Sequence, residues 1–150
     1  MSIHIARRQS CVILLAVGGC GTLPEAFPLA RSITLASDVA GEIGSGSILL
    51  DVRGPTERDR DGVPRQRHHT IMFGQDNFRS AVTPEERRHF LALVSERAGP
   101  PGPPLILLCS VGVRSAAAVP TLASAGYEVS NVMDGWLGND TGPGLRALEG

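Results

Sequence analysis

Two unbroken aliphatic runs constrain this chain more than any other feature of its sequence. One covers residues 48–50 (Ile-Leu-Leu) and leads into Asp51-Val52; the other covers residues 105–108 (Leu-Ile-Leu-Leu) and leads into Cys109. A strand with one wet face alternates apolar and polar residues, whereas a strand buried on both faces of a parallel sheet is apolar throughout. We therefore expect two central strands of a mainly parallel sheet.

Helix signals alternate with these runs. Thr34 is placed to cap a helix over residues 35–43, which Gly44-Ser45-Gly46 would end. Thr83, Pro84 and Glu86 form a capping box with proline at the first helical position, so a helix is expected there with its inward face at Phe90, Leu91 and Val94.

Further elements complete the pattern. Residues 70–73 and 129–133 are predicted strands, and the charged segment 53–66 is predicted to be an exposed loop. Residues 116–125 are a predicted helix, which Pro120 should kink or divide into two short pieces. Strands that alternate with helices, without hairpin signals, predict an α/β fold with helices on both faces of the sheet.

Composition excludes several classes of function. All 14 cations are Arg, so a catalytic Lys, a Schiff base and a P-loop are ruled out. A net charge of -1 without a basic patch gives no indication of a nucleic-acid partner. The three cysteines are Cys11, Cys20 and Cys109, which offer no pair for a disulfide in the body of the chain and no zinc-binding spacing. We predict neither a metal nor another cofactor.

The first 20 residues resemble an export signal. Arg7 and Arg8 precede an apolar stretch over residues 11–17, and Val17-Gly18-Gly19-Cys20 is similar to a bacterial lipobox, in which the cysteine is lipidated. The sequence thus predicts a signal peptide over 1–19, a tether over 20–32, one domain over 33–142 and a tail over 143–150. The protein would then be periplasmic or membrane-anchored through Cys20. A buried N-terminal strand, or a false start in a cytoplasmic protein, is the alternative.

Cys109 is the candidate nucleophile. It lies where ligands bind to parallel sheets, beyond the carboxyl end of a strand, and directly before a predicted helix. Backbone amides and the positive end of a helix dipole at such a position bind anions and favour a thiolate. Gly112 permits a tight loop, and Arg114 adds a fixed cation. The alternative is an inert cysteine of the core. The candidate substrate-binding residues are Ser110, Val111, Gly112, Val113, Arg114 and Ser115.

Three elements in order resemble the rhodanese (sulfurtransferase) domain over about residues 33–138. They are Cys-x-x-Gly-x-Arg-Ser from Cys109, the opening Asp51-Val52-Arg53 with Glu57, and the closing Asn-Val-Met-Asp-Gly-Trp over residues 131–136. The resemblance implies that Cys109 carries sulfur as a persulfide, stabilised by the loop amides and Arg114. Its partners would be a small sulfur donor and a thiol or cyanide acceptor. Asp51 and Arg53 are expected to support the sheet edge and the loop.

The chain departs from the family pattern in two places. Residues 62–69 replace the usual Gly-His-Ile-x-Gly-Ala stretch and bring His68 and His69, which we interpret as solvated loop histidines; a place at the mouth of the site is the alternative. Ser110 and Val111 carry no charge where many thiosulfate-using relatives have a basic residue. Thiosulfate is therefore not the expected natural donor.

Two other functions stay open. Related folds include phosphatases and arsenate reductases, which also use a Cys-to-Arg loop. Four residues lie between Cys109 and Arg114, whereas those relatives carry five, which opens the loop for a tetrahedral oxyanion. A non-catalytic sulfur carrier or interaction module is the third hypothesis, which the presence of both Cys109 and Arg114 disfavours.

Overall fold

The sheet of this protein is four-stranded and entirely parallel. A computed structural model describes residues 33–78 and 80–150, so the predicted signal peptide and tether lie outside the described residues. The strands are β1 (Ile48–Asp51), β2 (His68–Thr70), β3 (Leu105–Leu108) and β4 (Val129–Asn131), in the order β2-β1-β3-β4. Leu50 is opposite Leu107 in the register of β1 and β3. The two aliphatic runs are the central strands, as predicted.

Helices cover both faces of the sheet, which confirms the predicted α/β class. The helices are α1 (Ala36–Gly44), α2 (Pro55–Asp61), α3 (Pro84–Ala98), α4 (Val113–Ala123) and α5 (Leu145–Glu149). On one face, Phe90 and Val94 of α3 and Leu122 of α4 pack with Leu50 and Leu107. On the other face, α1 and α5 pack over the opposite side chains of the same strands, with Val39, Leu49, Ile106, Leu108 and Leu145 buried together.

The start of α1 differs from the prediction. Thr34 does not cap the helix: it forms a parallel bridge with Val132, and its hydroxyl donates to Glu42 at 2.6 Å. Leu35 takes the N-cap position and offers no capping side chain. Instead, the N–H of Ala36 donates to the carboxylate of Asp134 at 2.8 Å. The cap of α1 thus comes from a residue 98 positions later in the chain. No local pattern around Thr34 could indicate it.

The segment 53–66 is not simply an exposed loop, as the sequence analysis predicted. It contains α2, and Arg53 at its start is fully buried. The helix has no buried residue of its own, so it leaves no apolar periodicity in the sequence. β2 also begins two residues before the predicted strand over 70–73, although Ile71 and Phe73 still donate to the carbonyls of Asp51 and Val52.

The start of α3 follows its sequence signal closely, whereas α4 differs from the prediction. The capping box of α3 forms as predicted, with the N–H of Glu86 donating to Thr83 Oγ1 at 3.2 Å and the N–H of Thr83 donating to Glu86. α4 begins at Val113, earlier than predicted, and runs through Pro120 as one helix rather than two. Pro120 is exposed, and the helix continues beyond it to Ala123.

Residues 143–150, predicted to be a tail, contain α5. Leu145 is buried and its N–H donates to the carbonyl of Gly135 at 2.9 Å. None of the helices in the described residues is long and apolar enough to cross a membrane.

Candidate active site

The site is built around the loop that joins β3 to α4. Cys109 follows β3 directly and is only 2% exposed. Gly112 ends the loop in a left-handed conformation with φ of 87°, and a Cβ there would lie 2.2 Å from the carbonyl oxygen of Met133. The turn therefore requires glycine for both its conformation and its space.

Two hydrogen-bond donors converge on the thiol. The N–H of Gly112 lies 3.2 Å from the Sγ of Cys109, and the hydroxyl of Ser115 lies 3.1 Å from the same atom. Ser115 stands in the first turn of α4, so the sulfur also faces the positive end of that helix. This arrangement stabilises negative charge on sulfur, as a nucleophilic thiolate requires.

The segment 136–139, called the closing segment below, holds the carbonyls of residues 109–111 away from the sulfur of Cys109. The carbonyls of Cys109 and Ser110 accept from the N–H groups of Trp136 at 2.8 Å and Leu137 at 2.9 Å. The carbonyl of Val111 accepts from the Asn139 amide at 3.1 Å. In a planar trans peptide the C=O and the following N–H point in opposite directions. Anchoring these carbonyls on one side therefore turns the following amides towards the other, and that of Gly112 reaches the thiol.

Arg114 is a buried structural cation of the loop. Its guanidinium donates to the carbonyls of Val52 at 3.2 Å and Asp76 at 2.9 Å, and it stacks 4.9 Å from the centre of the Phe78 ring. It also forms an ion pair of 2.7 Å with Glu57. These contacts hold the guanidinium in place, which distinguishes Arg114 from an unpaired arginine that binds anions freely.

Glu57 is a site residue to which the sequence analysis gave no role. Its carboxylate accepts from Ser110 Oγ at 2.7 Å and from the N–H of Gly54 at 3.0 Å, besides its ion pair with Arg114. The signal for its position was present: Gly54-Pro55-Thr56-Glu57 repeats the proline and glutamate spacing that opens α3. Glycine cannot complete a capping box with a side chain, so the pattern was easy to miss.

Asp51 and Arg53 form a buried pair beside the loop, not in it. Arg53 donates from Nε and Nη2 to the two carboxylate oxygens of Asp51, at 2.9 and 2.7 Å. Its Nη2 also donates to the carbonyl of Gly62. The guanidinium lies 5.0 Å from the centre of the Trp136 ring, whose Nε1 donates to the carbonyl of Asp61. The pair thus connects β1 to the end of α2 and to the closing segment.

A small cavity of about 200 Å³ opens at Cys109. Val111 and Val113 stand 41% and 64% exposed at its rim, while Ser115 contributes from beneath the sulfur. The lining residues are Glu57, Asn77, Phe78, Cys109, Ser110, Val111, Val113 and Arg114. Of the predicted site residues, Ser110, Val111, Val113 and Arg114 thus line the cavity with Cys109, while Gly112 and Ser115 contact its Sγ.

A larger polar cavity of about 630 Å³ shares Glu57 and Asn77 with the first. Arg60 lines it, and the hydrogen bond from Arg60 holds the pKa of Asp61 below its ordinary value. His68 and His69 do not line the mouth: they open β2 and border a separate cavity with Ile43 and Ile48, at the opposite edge of the sheet. In the part of the chain that the structure describes, no group of three His, Cys, Asp or Glu side chains could hold a metal.

Comparison with known proteins places this geometry in context. The family described as "Rhodanese-like domain" matches residues 35–138. Rv0390 from M. tuberculosis is similar in structure, with a TM-score of 0.63 and 24% identity over 78% of this chain and 92% of that chain. Reduced CoADR-RHD from Bacillus anthracis has a TM-score of 0.53 and 23% identity, over 71% of this chain and 16% of that one. At these identities the two structures support the fold alone. None of the curated proteins matches the chain significantly.

Proposed function

The chain belongs to the rhodanese-like domain family, and we propose that it is a sulfurtransferase that carries a sulfane sulfur on Cys109. One observation carries the proposal: the Sγ of Cys109 accepts hydrogen bonds from Gly112 and Ser115 at the end of β3, inside a cavity open to small molecules. A core cysteine needs neither the donors nor the opening. Preorganised donors of this kind stabilise a thiolate and, after transfer, the charge on a persulfide.

The proposed reaction has two displacement steps. In the first, the Cys109 thiolate attacks the outer sulfur of a donor, for example an organic thiosulfonate RSO₂S⁻. The bond between the two donor sulfurs breaks, which leaves Cys109-S-S⁻ and RSO₂⁻. In the second, an acceptor thiolate or cyanide attacks the terminal sulfur and releases the Cys109 thiolate. Each step conserves charge and needs no external oxidant or reductant.

The size of the loop supports sulfur over phosphorus. Four residues separate Cys109 from Arg114, and the cavity at the thiol is small. A terminal persulfide sulfur is a compact anion, whereas a phosphate under attack places three equatorial oxygens around the nucleophile. The engagement of Arg114 by Glu57 and by two carbonyls also leaves less positive charge for a phosphate than a free arginine would provide.

The direct test offers the full chain four reagents side by side: thiosulfate, an organic thiosulfonate, an organic persulfide and an aryl phosphate. We expect a gain of one sulfur atom on the Cys109 peptide, measured by mass spectrometry, with at least one sulfur donor and its loss on addition of cyanide. We expect weak reaction with thiosulfate and no phosphate release. Cys109-dependent phosphate release, without sulfur transfer from any donor, would overturn the proposal.

We propose further that the domain works outside the cytoplasm. The lipobox-like Val17-Gly18-Gly19-Cys20 supports this, because lipidation of Cys20 would anchor the domain to a membrane through residues 20–32.

A further inference from the structure

We propose that Glu57 sets the charge of the molecules that reach Cys109. The site would take sulfane-sulfur compounds that are neutral or carry an amine, in preference to dianions such as thiosulfate. This inference rests on the proposed function and gives it a substrate class. It follows from the charges at the cavity, and not from the uncharged loop residues alone.

The positive charge of Arg114 is compensated by the carboxylate of Glu57. Arg114 Nη2 lies 2.7 Å from the Glu57 carboxylate, and the two side chains are only 4% and 18% exposed. At this separation and burial, the attraction between the two charges is weakly screened by solvent. A dianion approaching Cys109 therefore meets an ion pair where a free cation would have attracted it.

The Glu57 side chain faces the cavity and is fixed there by hydrogen bonds. Its carboxylate lines the same 200 Å³ cavity as the thiol. Ser110, the neighbour of Cys109 in the chain, donates to Glu57 Oε1 at 2.7 Å, and the N–H of Gly54 donates to Oε2 at 3.0 Å. With Arg114 there are three donors, two from the loop after β3 and the start of α4 and one from the N-cap of the helix that contains Glu57, so the negative charge has a fixed place in the cavity wall.

The charged side chains around the sulfur of Cys109 carry a net negative charge when the thiolate is included. Among the residues that the structure describes, Glu57 and Arg114 are the charged side chains lining the cavity at Cys109, apart from the thiol itself. The adjoining polar cavity adds Asp76 and Arg60, and Arg60 pairs with Asp61 at 2.7 Å. With Cys109 as thiolate, the sum of these charges is negative. Repulsion then grows with the negative charge of the ligand, and a dianion is disfavoured most.

A neutral donor fits the same chemistry. The Cys109 thiolate attacks the outer sulfur of an organic persulfide RSSH, and the bond between its two sulfurs breaks. The leaving thiolate takes the proton, so the products are the Cys109 persulfide anion and RSH. The apolar Phe78, Val111 and Val113 in the cavity wall would contact the organic part of such a donor.

The experiment measures charge selectivity at the thiol without requiring sulfur transfer. Three methanethiosulfonates are compared: the methyl reagent (neutral), the sulfonatoethyl reagent (anionic) and the trimethylammonioethyl reagent (cationic). In each reaction the thiolate forms a mixed disulfide and methanesulfinate leaves. The rate is followed by mass spectrometry at the Cys109 peptide of the full chain, and divided by the rate of the same reagent with 2-mercaptoethanol.

After this normalisation we expect the cationic reagent to react about tenfold or more faster than the anionic one. Glu57→Gln should raise the ratio of anionic to neutral rates about tenfold, because Arg114 loses its counter-charge. The ratio cancels any change in the reactivity of the thiol itself. Glu96→Gln, which removes one negative charge on the exposed face of α3, is the matched control and should leave the ratio unchanged.

Salt provides a test that does not depend on a variant. In the unmodified protein, the ratio of cationic to anionic rates should fall towards one as ionic strength rises from about 0.01 to 1 M, because the Debye length shrinks from about 30 to 3 Å. A cationic-to-anionic ratio at or below one at low salt would overturn the inference, as would an unchanged ratio in folded Glu57→Gln protein. Strong turnover of thiosulfate with the expected ratio absent would overturn this inference alone and leave the sulfurtransferase proposal standing.

Discussion

The carboxylate of Asp134 accepts a hydrogen bond of 2.8 Å from the N–H of Ala36, which lies 98 residues earlier in the chain. Its second oxygen accepts from the N–H of Gly144 at 3.1 Å, and the residue is buried. One side chain therefore caps α1, supports the segment before α5 and stands two residues before Trp136, whose N–H holds the carbonyl of Cys109. The Asp134 carboxylate thus contributes both to the stability of the domain and to the placement of the segment that holds the Cys109 loop.

We expect Asp134→Ala to lower the free energy of unfolding by about 2–3 kcal/mol, because two buried N–H groups lose a charged acceptor. The measurement is equilibrium unfolding in urea, with Asp140→Ala as the matched control in the exposed turn nearby. A loss no larger than that of the control would show that the carboxylate is not needed by the fold.

Cys109→Ser should abolish persulfide formation and leave the free energy of unfolding within about 1–2 kcal/mol of the unmodified protein. Cys109 is the one cysteine among the described residues, so no second thiol of that part of the chain can take over its role. Mass spectrometry after incubation with a sulfur donor measures the first effect, and thermal unfolding the second. A serine variant that transfers sulfur at the original rate would contradict the mechanism.

Asn139→Asp tests the anchoring of the loop. The Asn139 amide donates to the carbonyls of Val111 at 3.1 Å and Met133 at 2.8 Å, while its oxygen accepts from Thr141. Aspartate keeps the acceptor but turns the donor into a negative charge against two carbonyls. We expect Cys109 to react about tenfold more slowly with iodoacetamide, the equivalent of roughly one lost hydrogen bond.

Thr141→Val is the control for that substitution, since it removes only the hydroxyl that donates to the Asn139 oxygen. It should change the alkylation rate far less. Equal rates for the aspartate variant and the unmodified protein would show that Trp136 and Leu137 hold the loop without help from Asn139.

Insertion of one glycine between Val111 and Gly112 should widen the loop. The amides that converge on the sulfur would move apart, so sulfur transfer should fall at least about tenfold, as expected when preorganised donors are displaced. Insertion of glycine in the exposed stretch 100–103, which precedes β3 and so lies at the opposite end of that strand from Cys109, is the control. Binding of arsenate or phosphate by the widened loop, measured by calorimetry, would support the size argument; undiminished sulfur transfer would count against it.

The predicted lipid anchor is tested by Cys20→Ala. If Cys20 becomes the lipidated N-terminus, the unmodified protein should sediment with membranes and the variant should move to the soluble fraction. Unmodified protein that is soluble and retains Met1 would show that the first 19 residues are not a removed signal peptide.

The parts of the fold that the sequence predicted are those that local chemistry determines. The aliphatic runs ahead of Asp51 and Cys109 needed no partner to indicate buried parallel strands, and the capping box at Thr83 marked the start of α3 to the residue. The candidate nucleophile could be placed for the same reason, because its position between an apolar strand and a helix is a local property.

The parts that it missed depend on contacts between distant residues. The cap of α1 comes from Asp134, and α5 is held by the carbonyl of Gly135. Neither contact leaves a pattern in the sequence near the helix it supports. Likewise, Glu57 becomes part of the site only because α2 brings it to Ser110 and Arg114 across the carboxyl edge of the sheet.

The small size of the cavity at Cys109 has a consequence for reaction order. About 200 Å³ next to the sulfur accommodates one small molecule, so donor and acceptor compete for the same position against Sγ. In the proposed reaction the remnant of the donor therefore leaves before the acceptor enters, and Cys109 carries the sulfur as a persulfide between the two steps. Reciprocal plots of initial rate against donor concentration, taken at several fixed acceptor concentrations, should therefore be parallel lines.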